Sequence, residues 1–322
     1  MSKHLKFKQI NLEAEMIGKI KGTGSYLPEK IVYNHDLERI VDTSDKWIRE
    51  RTGIYARHIM DKENVSYMAY KAAEKALENA GIKAEDIDLI IVSTICSEHL
   101  LPCSACEVQK MIGAGNATCF DMNAACTGFI YAYNTAQAYI ASGMYKTVLI
   151  IGSEGMSDIV DWKDRGTCIL FGDGAGAAVI TAEEGSEFSI MSRSFGDKGE
   201  ALLCKKDGYI EMDGQAVFKF AVKEVASGIK ELLEKNKLTV DDIDLFVLHQ
   251  ANRRIVEAAS KRLGADVEKF PMNLDNCGNT SSASIPVLLD QLNRNNELKE
   301  KMKIVIAGFG AGLSIGADII EW

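Results

Sequence analysis

The chain reads as an α/β protein made of two similar halves, on three observations. Strand-like runs alternate with amphipathic helix patterns along its 322 residues. One segment occurs twice: Ala84-Glu-Asp-Ile-Asp-Leu-Ile-Ile-Val92 returns as Val240-Asp-Asp-Ile-Asp-Leu-Phe-Val-Leu248, each time after a helix pattern, Val65 to Ala80 and Val217 to Asn236. Further echoes keep the same order. Phe120-Asp-Met-Asn123 matches Phe270-Pro-Met-Asn273, and the strand Lys146 to Gly152 matches Lys303 to Gly308. Phe171-Gly-Asp-Gly-Ala-Gly176 and Gly308-Phe-Gly-Ala-Gly312 read as tight hairpin-like turns. Neither has the context of a phosphate or dinucleotide loop.

Composition sets the outer limits. Hydrophobic content of 47% with 27 Gly and only 4 Pro suits a compact enzyme with no apparent linker. A net charge of −9 argues against a nucleic-acid surface. Apolar runs stay below the roughly 18 residues of a membrane helix. Met1 to Glu15 mixes acids and bases without a targeting pattern and reads as an N-terminal extension. Eight cysteines scattered through apolar runs, with no secretory segment before them, point to the reduced cytoplasm. Cys103-Ser-Ala-Cys106 has the spacing of a redox or zinc pair but lacks further ligands, so no metal is expected.

Three segments carry candidate chemistry. Thr118 to Met122 reads as a strand, followed by Asn123-Ala-Ala-Cys-Thr-Gly-Phe129 and a long apolar helix. Cys126 therefore lies at a helix N-terminus, where backbone N–H groups and the macrodipole favour thiolate, and Gly128 is expected to keep the first turn open to substrate. His249 ends the strand Leu245 to Leu248, and Asn252 opens the next helix. Asn279 occupies a polar turn before the helix pattern Ile285 to Leu292. Singly, each has a structural reading as a buried thiol, a core histidine and an N-cap. Together they form a Cys, His, Asn set at element edges, where α/β proteins present active sites. Arg254, Lys261 and Arg262 on the helix after His249, with Lys219 and Lys223 on another, make a local basic patch or a solvated face.

The motifs AACTGF, HQANRRI, NTSSAS and GFGAG, in this order, resemble those of the thiolase-superfamily condensing enzymes, specifically β-ketoacyl-acyl-carrier-protein synthase III. The likeness runs from Met16 to Trp322 and includes Gly22-Thr-Gly-Ser-Tyr-Leu-Pro28, Asp42-Thr-Ser-Asp-Lys-Trp-Ile-Arg-Glu-Arg-Thr-Gly53 and Asp164-Arg-Gly-Thr167. Thiolases carry a second cysteine in the last Gly-rich motif, where this chain has Phe309-Gly-Ala-Gly312, and elongation synthases use two histidines where Asn279 stands here.

The resemblance implies a thiolase-like duplicated fold in αβαβα layers, with halves 16–185 and 186–322. It implies a short-chain acyl-CoA primer, acetyl or short branched, transferred to Cys126 and condensed with malonyl-acyl carrier protein to start fatty acid biosynthesis. No cofactor is implied, acyl-CoA being a substrate. By resemblance, the N–H groups of Cys126 and Ala311 form the oxyanion hole. His249 Nε2 and Asn279 Nδ2 hold the enolate, and Phe218 and Phe309 wall the site. Trp47 and Arg165 sandwich the adenine of CoA, with Thr43 at its edge, Arg51 on phosphate and Asn252 on pantetheine. Lys219, Arg254, Lys261 and Arg262 receive the acidic carrier. Leu101 reaches across a homodimer to close the partner's acyl pocket. Ser314-Ile315 departs from the usual family pattern. Three readings stay open: a relative using a dicarboxylic or aromatic primer, a Cys-His-Asn hydrolase, and an inactive acyl-binding scaffold.

Overall fold

The computed structural model describes residues 16–185 and 188–322. The N-terminal extension read over 1–15 lies outside the described residues. Two sheets form the frame. The first contains β1 (Met16–Tyr26), β2 (Leu89–Ser93), β3 (Thr118–Met122), β4 (Thr147–Glu154) and β5 (Gly174–Glu184), in the order β1-β5-β4-β2-β3. The second contains β6 (Ile190–Ser194), β7 (Leu245–Leu248), β8 (Lys303–Gly310) and β9 (Ser314–Glu321), in the order β7-β8-β9-β6. The internal repeat is visible in the pairing. β2 runs parallel to β4 as β7 does to β8, and β4 and β8 then pair antiparallel with β5 and β9.

Side-chain alternation converts these sheets into layers. Leu89, Ile91, Val148 and Ile150 of the first sheet share one core with Ile304 and Ile306 of the second, and this core encloses α4 (Gly128–Ala141) and α7 (Ser284–Arg294). The opposite faces are covered separately. Ile90, Val92, Leu149 and Ile151 pack under α2 (Val65–Ala80) and α3 (Ser104–Ile112). Val305 and Ala307 pack under α5 (Gly214–Lys235) and α6 (Arg253–Leu263). The result is the αβαβα sandwich. Strands apolar on both faces are what a doubly covered sheet requires, which is why β2 and β4 read as unbroken hydrophobic runs.

Two expectations are corrected. Gly174 and Gly176 lie inside β5, not in a turn. A Cβ on Gly176 would stand 2.6 Å from the backbone nitrogen of Val287, so its smallness lets α7 rest on the strand. Phe270-Pro-Met-Asn273 is coil among the described residues, although its echo Phe120–Met122 lies in β3. Pro271 has no N–H to give to a ladder.

Candidate active site

The inner helix layer positions the nucleophile. After β3, one tight turn over Ala125–Thr127 leads into α4. Ala125 has φ 46°, a left-handed value that bends the chain sharply just before Cys126. The second half repeats the device: Ser281 has φ 49°, begins the turn Ser281–Ala283 and leads into α7. Ser282 is thus the counterpart of Cys126. A cavity of about 90 Å³ brings Cys126, His249 and Asn279 together, walled by Phe218, Phe309 and Gly310.

Each polar partner is fixed by its neighbours. His249 follows β7, and its N–H donates to Ala307 O at 2.8 Å. Its Nδ1 lies 2.6 Å from Ser284 Oγ, which also accepts the Gln250 N–H at 3.3 Å. This contact fixes the ring through Nδ1 and leaves Nε2 as the ring nitrogen without a protein partner among the described residues. Burial pushes the His249 pKa down to about 3, so the ring is neutral. Asn279 is held through its backbone by Leu170 O at 2.8 Å and Gly172 N at 3.1 Å. Its Oδ1 accepts the Ser281 N–H at 2.9 Å, which leaves Nδ2 as the group available to a ligand. A neutral imidazole and an amide N–H donor therefore share one small cavity with a thiol.

Cys126 is a thiol at rest. Burial pushes its pKa up to about 12, the Glu154 carboxylate adding to the effect while Ser281 and the residue's own N–H oppose it. This corrects the expected thiolate. A helix N-terminus contributes at most about 2 kcal/mol, roughly one to two pKa units, and a neutral His249 supplies no positive charge. Gly128 is also reassigned. A Cβ there would sit 1.8 Å from Ser93 Oγ, so glycine is needed for α4 to meet β2 and not for substrate access.

Sequence reading missed the group beneath the thiol. Cys126 Sγ donates to Ser281 Oγ at 3.5 Å, and Ser281 Oγ donates to Glu154 Oε1 at 3.1 Å. Glu154 is fully buried at the end of β4. The signal was present: it is the sole charged residue in the run Val148 to Met156.

The remaining predicted residues divide. Ala311 does not line the cavity, whereas Gly310 does, and the Ala311 carbonyl accepts from Ser314 Oγ at 3.2 Å. The Ala311 and Cys126 N–H groups make no backbone hydrogen bond among the described residues. Trp47, on α1 (Asp45–Thr52), carries the Arg51 and Arg165 guanidinium groups over its ring at 4.6 and 4.8 Å. Arg165 therefore lies against Trp47 itself, and an adenine entering between them must part the two. Thr43 Oγ1 is buried there without a partner among the described residues. Asn252 lines the cavity, caps α6 by accepting the Arg254 N–H at 2.9 Å, and donates Nδ2 to Arg51 O at 3.1 Å. This bond ties the Trp47 region to the mouth of the cavity. Lys219, Arg254, Lys261 and Arg262 are exposed, and Arg254 stands 5.1 Å over Phe218, on the cavity wall. Leu101 is 87% exposed and does not line this chain's own cavity.

Known proteins resemble this chain along most of its length. Residues 120–199 match the family profile "3-Oxoacyl-[acyl-carrier-protein (ACP)] synthase III", and residues 233–322 match its C-terminal counterpart. The β-ketoacyl-acyl-carrier-protein synthase III of Clostridium acetobutylicum is 49% identical over 320 residues, covering 94% of this chain and 98% of that one. The crystal structure of 3-oxoacyl-acyl-carrier-protein synthase III from Aquifex aeolicus superposes with TM-score 0.93 at 42% identity, covering 95% of this chain and 100% of the other. A priming β-ketosynthase from the R1128 polyketide pathway superposes with TM-score 0.91 at 34% identity, covering 98% of each chain.

Proposed function

Since the chain belongs to the β-ketoacyl-acyl-carrier-protein synthase III family, the condensing acyltransferases of fatty acid biosynthesis, we propose that it extends a short acyl-CoA primer through an acyl thioester on Cys126. The observation that carries this reading is the cavity itself. It holds one nucleophile beside a neutral imidazole and a fixed amide N–H donor.

In the first half-reaction Cys126 Sγ attacks the acyl-CoA carbonyl and CoA leaves as its thiol, with the Cys126 N–H as a donor to the oxyanion. In the second, malonyl-acyl carrier protein loses CO₂. The electron pair left behind delocalises onto the thioester oxygen, where His249 Nε2–H and Asn279 Nδ2–H stabilise it. The enolate carbon then attacks the acyl thioester, giving 3-oxoacyl-acyl carrier protein and the Cys126 thiolate, which takes one proton from solvent to return to the thiol. Neither His249 nor Asn279 changes protonation, which suits a ring whose pKa is only about 3. Phe218 and Phe309 make the malonyl carboxylate's surroundings apolar and favour its loss.

Trp47, Arg51, Thr43, Arg165 and Asn252 receive CoA in this reading, and the Arg254 face receives the carrier. A cytoplasmic homodimer is part of the proposal, with Leu101 at the partner's pocket. No described helix is long and apolar enough to cross a membrane. The unusual Ser314-Ile315 marks the second reading, a dicarboxylic or aromatic primer. Intact-protein mass spectrometry after incubation with a panel of acyl-CoAs tests both. Each accepted primer should leave its mass on the parent and none on Cys126→Ala, whereas labelling of that variant would move the nucleophile elsewhere.

A further inference from the structure

Acylation requires the Cys126 proton to go somewhere, and the thiol makes no hydrogen bond to His249 among the described residues. The His249 ring is bonded through Nδ1 to Ser284 Oγ, and burial makes it a poor base. The thiol's hydrogen-bond partner among the described residues is Ser281 Oγ at 3.5 Å. That hydroxyl in turn donates to Glu154 Oε1 at 3.1 Å. Glu154 is 0% exposed and also accepts from Ser282 Oγ at 2.7 Å, the Ile95 N–H at 3.0 Å and Thr94 Oγ1 at 3.3 Å. No lysine, arginine or histidine forms an ion pair with it among the described residues. A buried carboxylate without a cation is costly, and packing alone does not require an acid at this position.

We propose that Ser281 and Glu154 form a relay that receives the Cys126 thiol proton as the acyl group is transferred. The inference rests on Cys126 being the acylated residue. As Sγ bonds to the thioester carbonyl carbon, its proton passes to Ser281 Oγ, and the Ser281 proton passes to Glu154, which becomes neutral. When the bond from carbon to the CoA sulfur breaks, the same path returns one proton to that sulfur. The sum is thiol plus acyl-CoA giving acyl-cysteine plus CoA thiol, with nothing oxidised or reduced. Burial, which raises the Glu154 pKa, makes its carboxylate a better acceptor than an exposed one. Ser281 touches the reacting sulfur; Glu154 acts through it. The titratable groups facing Glu154 are the Cys96 thiol and, through Ser281, Cys126, with Asp173 beyond Cys96.

The test compares Glu154→Gln and Ser281→Ala with the parent, by rapid-quench mass spectrometry of acetyl-CoA transfer and by release of CO₂ from malonyl-acyl carrier protein. Acyl transfer at pH 7 should fall by about 10² or more, while decarboxylation stays within about threefold, because His249 and Asn279 are untouched. In Glu154→Gln, transfer should then rise about tenfold per pH unit from pH 7 to 9 as hydroxide replaces the relay, a slope the parent lacks. Parent-like acyl transfer in both variants would overturn the relay, as would equal loss of both half-reactions, which marks a structural role. Should Glu154→Gln fail to fold, Ser281→Ala decides alone. Cys126→Ala run alongside separates the two readings, since acylation of that variant would remove the nucleophile and not the relay.

Discussion

His249 and Asn279 are placed alike by different routes: each is tied at one polar atom, Nδ1 to Ser284 Oγ and Oδ1 to the Ser281 N–H, and keeps its other nitrogen for a ligand. That symmetry sets their expected phenotype. His249→Ala and Asn279→Ala should still accept an acyl group but lose decarboxylation by roughly 10² to 10³ each, as for removal of one oxyanion donor. A block in acylation alone, with normal condensation once pre-acylated, would reverse the assignment. His249 also carries a pH signature. Its folded pKa of about 3 lies below the 6.5 of the free side chain, so between those values the unfolded chain binds a proton that the folded one refuses. Stability from this group is therefore present above pH 6.5 and lost as pH falls. The urea-unfolding free energy of the parent minus that of His249→Gln should drop by about 2 kcal/mol between pH 7.5 and 5. A difference that stays constant would mean the imidazole is not held neutral by burial. At this scale the sequence exposed Cys126, His249 and Asn279, because each sits in a short motif at an element edge. It hid Glu154 and Ser284, whose roles come from contacts that only the folded chain makes.

Elements explain why the site is rigid. α4 and α7 begin with the same strained turn, and each is locked to a strand by a missing side chain, at Gly128 beside Ser93 and at Gly176 beside Val287. Gly128→Ala should destabilise the protein by roughly 1–3 kcal/mol through overpacking, and should slow acyl transfer by shifting the start of α4. Urea unfolding and transfer rates measured together check this, and an unaltered protein would show that the first turn has slack. In the proposed function, the capping Asn252 and the rim residue Arg254 of α6 divide CoA from carrier contacts. Arg254→Glu should raise KM for malonyl-acyl carrier protein and hardly change that for acyl-CoA, with added salt imitating the substitution. Equal losses with malonyl-acyl carrier protein and a small malonyl-pantetheine analogue would point to damage of the fold. Helix and strand periods were legible here because both sheets are covered on both faces, so apolar runs mark strands and the flanking helices stay amphipathic. The direction of the Cys126 shift was not legible. The helix dipole can be read from local order, whereas desolvation depends on how tightly Phe309, Phe218 and the neighbouring strands enclose the thiol.

At the scale of the whole molecule the duplicated sheets place Cys126 from one half against His249 and Asn279 from the other in one cavity. What lies beyond a single chain is marked by Leu100 and Leu101, adjacent leucines 81% and 87% exposed on one loop. Large apolar side chains this exposed suit burial against another surface, and in the proposed homodimer Leu101 ends in the partner's acyl pocket. Its size then sets the depth available to the primer. A buried methylene is worth about 0.8 kcal/mol, so replacing leucine by the larger, flatter phenylalanine should penalise longer and branched primers more than acetyl. The prediction is that Leu101→Phe lowers kcat/KM for butyryl- and isobutyryl-CoA by about tenfold or more relative to acetyl-CoA, while sedimentation still reports a dimer. Equal changes for all three primers, or none, would remove Leu101 from the pocket. A parent chain that sediments as a monomer while turning over normally would remove the shared pocket altogether.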